Sequence, residues 1–275
     1  MLCEFDAAPA ADRIEAVLSI SGGGAIGMGF FGQFVYDDLG TYELAADRLR
    51  LVELFWTPPD PRLVTRAHQA GDVVVGWQVG SVDDALAAEA AGCDLVVAQG
   101  VEAGGHVRGS TPRQQLLDAV CEAVTVPVVA AGGISSAAAV AKAIADGAAA
   151  VRVGTRFVAT TEANAHDLYK QALVRAASGD DTVLTTTFSL GWPDAPHRVL
   201  AHSVRAAEST DDNIVGWTNA GGSKTPIKRY STSPPNRATE GQIEAMALYA
   251  GTGVADVTQV LPAATVVAEL TANLT

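Results

Sequence analysis

The stretch VPVVAAGGISSAAAVAKAIADGAAAVRVGTRF, residues 126–157, holds the fold in miniature. An apolar run ends in Gly132 and Gly133, an Ala-rich segment comes next and stops at Gly147, and a second apolar run ends in Gly154 and Thr155. Short apolar runs bounded by glycine read as strands buried on both faces. The segment between them reads as an amphipathic helix, with Ser135 able to cap its start and Gly147 to stop it. Strand, helix, strand in this order predicts a parallel sheet covered by helices.

The same unit recurs upstream. AVLSIS (16–21), RLVELFW (50–56), VVVGWQV (73–79) and DLVVAQG (94–100) read as further strands. PRLVTRAHQAG, SVDDALAAEAAG (with Ser81 as a cap) and RQQLLDAVCEAV read as the helices between them. The prediction is an α/β fold of the TIM (β/α)8 type. An open Rossmann sheet is disfavoured because no GxGxxG opens the chain and the glycine motifs come after late strands. The GGG at 22–24 reads as a tight turn. Six strands are clear, with one or two more in 182–205, so the barrel is expected to be incomplete or rebuilt at its N-terminus. A missing strand would leave open edges and an exposed apolar interior.

Composition narrows the function. The chain has 275 residues, 48% of them hydrophobic and only 6% aromatic, which is enough for a large core of Ala, Val and Leu. A net charge of −13 excludes nucleic acid and anionic membrane as electrostatic partners. Cys3, Cys93 and Cys121 form no CxxC or Cys/His cluster and read as small buried hydrophobes in a reducing compartment, with no metal site. MLCEFDAAPAADR shows no signal peptide, and no apolar run is long enough for a membrane span, so a cytoplasmic protein is expected.

Beyond residue 180 the pattern changes. TVLTTTFSLGWPDAPHRVL is irregular, and the polar stretch 206–240 holds Lys224, Lys228, Arg229 and Arg237 without a sustained period. It reads as an excursion or lid. EGQIEAMALYAG and LPAATVVAELTANL read as two closing helices. The expected organisation is a barrel over 1–205, the excursion over 206–240 and C-terminal helices over 241–275.

Three strand ends concentrate the chemistry. LVVAQGVEAGGH ends a strand with a carboxylate, two glycines and His106. Glycine lets a backbone approach a ligand closely, and a histidine beside it could act on that ligand. One and two strands later, Gly132–Gly133 and Gly154–Thr155 would present backbone N–H groups to a phosphate, as the last strands of a barrel do.

QGVEAGGHVRG, VPVVAAGGI and VRVGTRFVATTEANAH resemble the central motifs of the nitronate monooxygenases, also called 2-nitropropane dioxygenases, a family of FMN-dependent barrels. EAMALYAGTGV and VLPAATVVAEL resemble that family's closing helices. The resemblance runs over about 50–175 and 240–270 and implies FMN as cofactor, with a small-molecule substrate and dioxygen as partners. It implies flavin contacts at Gln99, Gly104, Gly105 and Gly132. Gly133 would lie on the phosphate side, and Arg152, Val153, Gly154 and Thr155 would hold the phosphate. His106 would stand over the flavin as catalytic base, a task suited to a side chain with a pKa near neutrality. The implied reaction is oxidation of alkyl nitronates, or nitroalkanes, to carbonyl compounds and nitrite. Two alternatives stay open: a flavin-dependent enoyl-ACP reductase on the same barrel, and a flavin-binding or apo scaffold without turnover. The chain departs from the family at its start, where a QAPM-like first strand and a second strand ending in Asn are absent. IEAVLSISGGGAIGMGFFG resembles the segment just after the family's first strand.

The remaining candidates read more plainly. Glu102 reads as a supporting carboxylate, His166 as a loop-ordering or capping residue, and His68 and His202 as surface residues. His197 could border the pocket, Trp77 reads as core, Gln78 could touch the flavin edge, and Tyr249 could reach the site from a C-terminal helix.

Overall fold

The computed structural model describes residues 7–220 and 223–274, so Cys3 lies outside the described residues. In chain order the elements begin with α1 (Ala7–Ile20), β1 (Gly27–Phe31), α2 (Gly32–Val35), α3 (Leu39–Arg48), β2 (Leu51–Phe55), α4 (Pro61–Ala70), β3 (Val74–Val79) and α5 (Val82–Ala90). Next come β4 (Leu95–Gln99), β5 (Gly105–His106), α6 (Arg113–Ala123), β6 (Val128–Ala131), α7 (Ala137–Ala145), β7 (Ala150–Arg152), α8 (Thr155–Val158) and α9 (Asp167–Arg175). The chain closes with β8 (Thr182–Thr185), β9 (His197–Leu200), α10 (Ala201–Ser209), β10 (Ile214–Ala220), β11 (Ser223–Lys228), β12 (Thr239–Gly241) and α11 (Ala263–Thr271).

A six-stranded sheet runs in the order β1-β2-β3-β4-β6-β7. Among the described residues β1 and β7 are not paired with each other, so the sheet is a curled, incompletely closed relative of the TIM barrel. The register is parallel through β1, β2, β3 and β4, with Gly27 beside Leu51, Leu51 beside Val74 and Gly76 beside Leu95. Helical connections between parallel neighbours account for this, since strands that all run one way need a crossover.

Two compact units emerge from the contacts. The first holds residues 1–99, 115–130 and 147–149. Val52, Leu54, Val75, Trp77 and Val96 pack in its core with no measurable exposure. Trp77 donates its indole N–H to the Thr57 carbonyl at 3.1 Å, which satisfies its one polar atom and makes it a core residue. Caps start the helices as their sequences suggest: Asp38 for α3, Asp60 before Pro61 for α4, and Ser81 for α5.

The second unit holds residues 100–114, 131–146 and 150–275. Two buried clusters fill it. One is built on Tyr169, Leu173, Leu200, Leu248 and Val254, the other on Phe188, Val199, Val215, Ile243 and Met246. Two small antiparallel sheets, β5-β9-β8 and β11-β10-β12, complete it.

Several sequence expectations need correction. AVLSIS lies in α1 and the turn after it, not in a strand, and the first strand is Gly27–Phe31. The apolar run 16–21 is too short for periodicity alone to distinguish strand from helix. Gly22 and Gly23, at φ of 60° and 86°, then form the expected turn. In α7 the cap is Ser136, not Ser135; Ser135 instead donates to Asp256 at 2.6 Å. AVRVGTRF is strand only to Arg152 and turns helical at Thr155. Of EGQIEAMALYAG only Ile243–Ala245 forms a helical turn. Glu240 and Gly241 belong to β12, paired with β10, and Leu248–Ala250 lies against β9, where Leu200 N–H donates to the Leu248 carbonyl at 2.8 Å. The polar stretch 206–240 contains the hairpin of β10 and β11, paired from Ile214–Lys228 to Ala220–Ser223.

Candidate active site

The EAGGH element is fixed by β9. Gly105 pairs with Arg198 and His106 with His197 in antiparallel register, and Val107 N–H donates to the Pro196 carbonyl at 2.8 Å. Arg198 donates from Nε (3.1 Å) and Nη2 (2.8 Å) to the Val101 carbonyl. Glu102 accepts the Arg113 N–H with both carboxylate oxygens, at 3.1 and 2.9 Å, so it is a supporting carboxylate at the start of α6.

Four rings converge here. The His106 imidazole stacks on Trp192 at 4.1 Å between centroids and 21° between planes. His197 lies 5.3 Å and Tyr249 5.7 Å from it. Burial, and secondarily the neighbouring His197, pushes the His106 pKa down to about 4, so its imidazole is neutral at pH 7.

His197 is fully buried. Its Nε2 accepts the Phe188 N–H at 3.1 Å and its Nδ1 faces the Ala195 carbonyl at 2.9 Å, which assigns the proton to Nδ1. Burial lowers its pKa as well. Tyr249 donates its hydroxyl to the Thr232 carbonyl at 2.7 Å, and burial pushes that phenol upward.

The segment Tyr249–Thr252 ties the glycine motifs together. A Cβ on Gly104 would stand 2.5 Å from the Gly251 nitrogen, so this glycine is required by the chain itself. Gly251 N–H donates to the Thr155 hydroxyl oxygen at 3.0 Å, and Thr252 N–H donates to the Glu102 carbonyl at 2.9 Å. A Cβ on Gly133 would meet the Thr252 hydroxyl at 3.0 Å, and one on Gly132 the Gly100 carbonyl at 3.0 Å. Arg156 anchors the next turn by donating to the Asp256 carbonyl at 2.5 Å and pairing with Glu269.

Gly104, Gly105, His106, Gly132, Gly133, Arg152, Val153, Gly154 and Thr155 therefore all belong to the second unit, while Gln99 ends β4 in the first, 6% exposed. At Gly105 and Gly154 an added Cβ would meet nothing within 4 Å. Their backbone borders open space, as a cradle for a phosphate-bearing cofactor requires, and the residues present fit FMN on that count. His166 accepts the Leu168 N–H with Nδ1 at 3.1 Å, capping α9 as expected. His68 is a surface residue 2.9 Å from Asp94. His202, read as a surface residue, is half-buried on the wall of a cavity of about 320 Å³, and its lowered pKa has burial as the main cause. Gln78 is buried in β3 of the first unit. Among the described residues no cluster of three or more His, Cys, Asp or Glu could hold a metal ion. No described helix is long and apolar enough to cross a membrane.

A curled parallel sheet connected by helices places the chain in the class of (β/α)-barrel-type folds. Within that class, a family model described as nitronate monooxygenase matches residues 41–273, and the chain belongs to this family. A probable nitronate monooxygenase of Staphylococcus aureus (strain Newman) is 38% identical over 141 residues, which is 48% of this chain and 39% of that protein. The match thus spans well under half the length of the curated relative. The structure of nitroalkane oxidase from Streptomyces ansochromogenes superposes with a TM-score of 0.75 at 26% identity, covering 98% of this chain and 85% of that one. FabK from Thermotoga maritima gives 0.72 at 24% identity, covering 95% and 80%, and this likeness concerns the fold alone.

Proposed function

We propose that the chain binds FMN and oxidises alkyl nitronates with dioxygen, releasing carbonyl compounds and nitrite. The observation that carries the proposal is His106, held on β5 beside a glycine that borders open space and packed against the buried His197 and the half-buried Trp192 and Tyr249, in a chain of the nitronate monooxygenase family. FMN, when bound, would supply the redox chemistry between the electron-rich nitronate and dioxygen. Arg152, Val153, Gly154 and Thr155 hold its phosphate largely by backbone, with Gly133 on the same side. Gly104, Gly105 and Gly132 would supply further contacts to the flavin.

His106 is the group that meets the substrate. A neutral imidazole accepts the α-proton of a nitroalkane at a ring nitrogen and orients the resulting anion. With its pKa near 4 it is a weak acceptor, which favours nitronates already deprotonated over neutral nitroalkanes. Trp192, His197 and Tyr249 exclude water from the ring and strengthen its polar contacts.

The test is turnover of ethyl nitronate in air by the FMN-loaded chain, with nitrite as the readout. Nitrite release without nicotinamide consumption supports the proposal. Nicotinamide-dependent reduction of an enoyl thioester without nitrite would replace it, and bound FMN with neither reaction would leave a scaffold.

A further inference from the structure

The segment between β8 and β9 carries a residue, Trp192, that does more than keep water from His106. We propose that Trp192 is the positioning residue of His106: its indole fixes the imidazole plane, so that the substrate is met by the nitrogen-bearing edge of the ring and not by its face. The reaction itself rests on the proposed nitronate oxidation, but the placing of the ring does not.

The backbone that carries the indole is held independently of the histidine. Gly191 and Asp194, at φ of 87° and 57°, turn the chain on either side of Trp192. The backbone N–H of Trp192 donates to the Ser189 carbonyl at 2.9 Å, and the backbone N–H of Leu190 donates to the Tyr230 carbonyl at 3.0 Å, pinning the segment beside the turn after β11. His106 is held from its own side by the β5–β9 register. Two separately anchored rings therefore meet at 4.1 Å with nearly parallel planes.

That contact removes a specific freedom. The second side-chain torsion of histidine is broad, so an unstacked imidazole samples many planes. Stacking selects one, and both ring nitrogens lie in that plane, directed away from the indole face. His197 cannot do this, because its own nitrogens are engaged by Phe188 N–H and the Ala195 carbonyl and its plane lies at 55° to His106. Tyr249 lies at 47°, with its hydroxyl committed to Thr232. These two are the titratable groups whose rings lie against His106; Arg198, opposite Gly105, directs its guanidinium to Val101. The indole also keeps water from one face of the imidazole, in keeping with burial as the main cause of its lowered pKa.

The experiment uses the full chain with FMN and follows the His106 side chain by NMR titration, its resonance identified by loss in H106Q. Wild type and W192F should titrate near the same low pH, while W192A should move toward the ordinary histidine value of about 6.5. W192A should lose about tenfold or more in kcat on neutral nitroalkanes with little change in KM, as a misplaced catalytic group does. W192F should recover most of that loss. A folded W192A that titrates like wild type, or turns over at the wild-type kcat, would overturn the proposal. If W192A does not fold, W192L decides: it fills the space without a planar ring and must lose kcat, so wild-type turnover in W192L is equally fatal. If instead H106Q is as active as wild type, the role given to His106 fails, while the titration still judges the placing of its ring.

Discussion

His106 is stacked, half-enclosed and neutral at pH 7. Substituting it should separate two substrates. H106A is expected to lose about 100-fold or more in kcat/KM on neutral nitroalkanes, within the range attributed to general-base catalysis, and far less on preformed nitronates, measured by nitrite release. The same burial has a consequence for stability. Its folded pKa, about 4, lies below the ordinary 6.5, so between those values the unfolded chain binds a proton that the folded chain refuses. This contribution is full above pH 6.5 and is lost as the pH falls toward 4, by about 3 kcal/mol at most. Urea unfolding at pH 7 and pH 4.5 should show a drop that is smaller in H106Q. At this scale the EAGGH motif pointed to His106, and a capping reading of His166 held. Trp192 was not legible, because its meeting with His106 depends on turns at Gly191 and Asp194 that leave no periodic trace.

Among the elements, the strand-end glycines fall into two kinds that sequence cannot tell apart. Gly104 is demanded by the chain, since a Cβ would stand 2.5 Å from the Gly251 nitrogen and 2.7 Å from the Ala250 carbonyl carbon. Gly154 borders open space, and its φ of −113° suits any residue. G104A should therefore cost about 2 kcal/mol or more in unfolding free energy, the range for forced overpacking. G154A should leave stability within about 0.5 kcal/mol yet weaken FMN binding at least tenfold, measured by flavin fluorescence. Five of the six sheet strands and the helices α4, α5, α6 and α7 between them were readable, because burial on both faces makes the strands' apolar runs continuous; α2 and α3, between β1 and β2, were not. The mistaken elements have separate causes. AVLSIS is too short for its period to tell helix from strand, and the conformation of EGQIEAMALYAG is decided by a pairing partner distant in sequence. For the second, that partner is β9.

For the molecule as a whole, β1 and β7 are not paired with each other among the described residues. A net charge of −13 adds a constraint on the anionic cofactor. The overall field repels a phosphate, so the proposed FMN would be held by short-range N–H donors, and salt, by screening that repulsion, should raise its affinity modestly and not lower it. Ligand binding to the folded state alone raises stability, by about 3 kcal/mol at a free concentration 100 times Kd. Adding FMN should therefore raise Tm by several degrees, and G154A should need more FMN for the same rise.

The most direct measurement is the absorption spectrum of the purified chain after FMN addition and gel filtration, then ethyl nitronate in air with nitrite assayed. Retained flavin colour is expected, together with nitrite release that is lost on removing FMN. A colourless protein, or one that keeps FMN and releases no nitrite, would contradict nitronate oxidation by this chain.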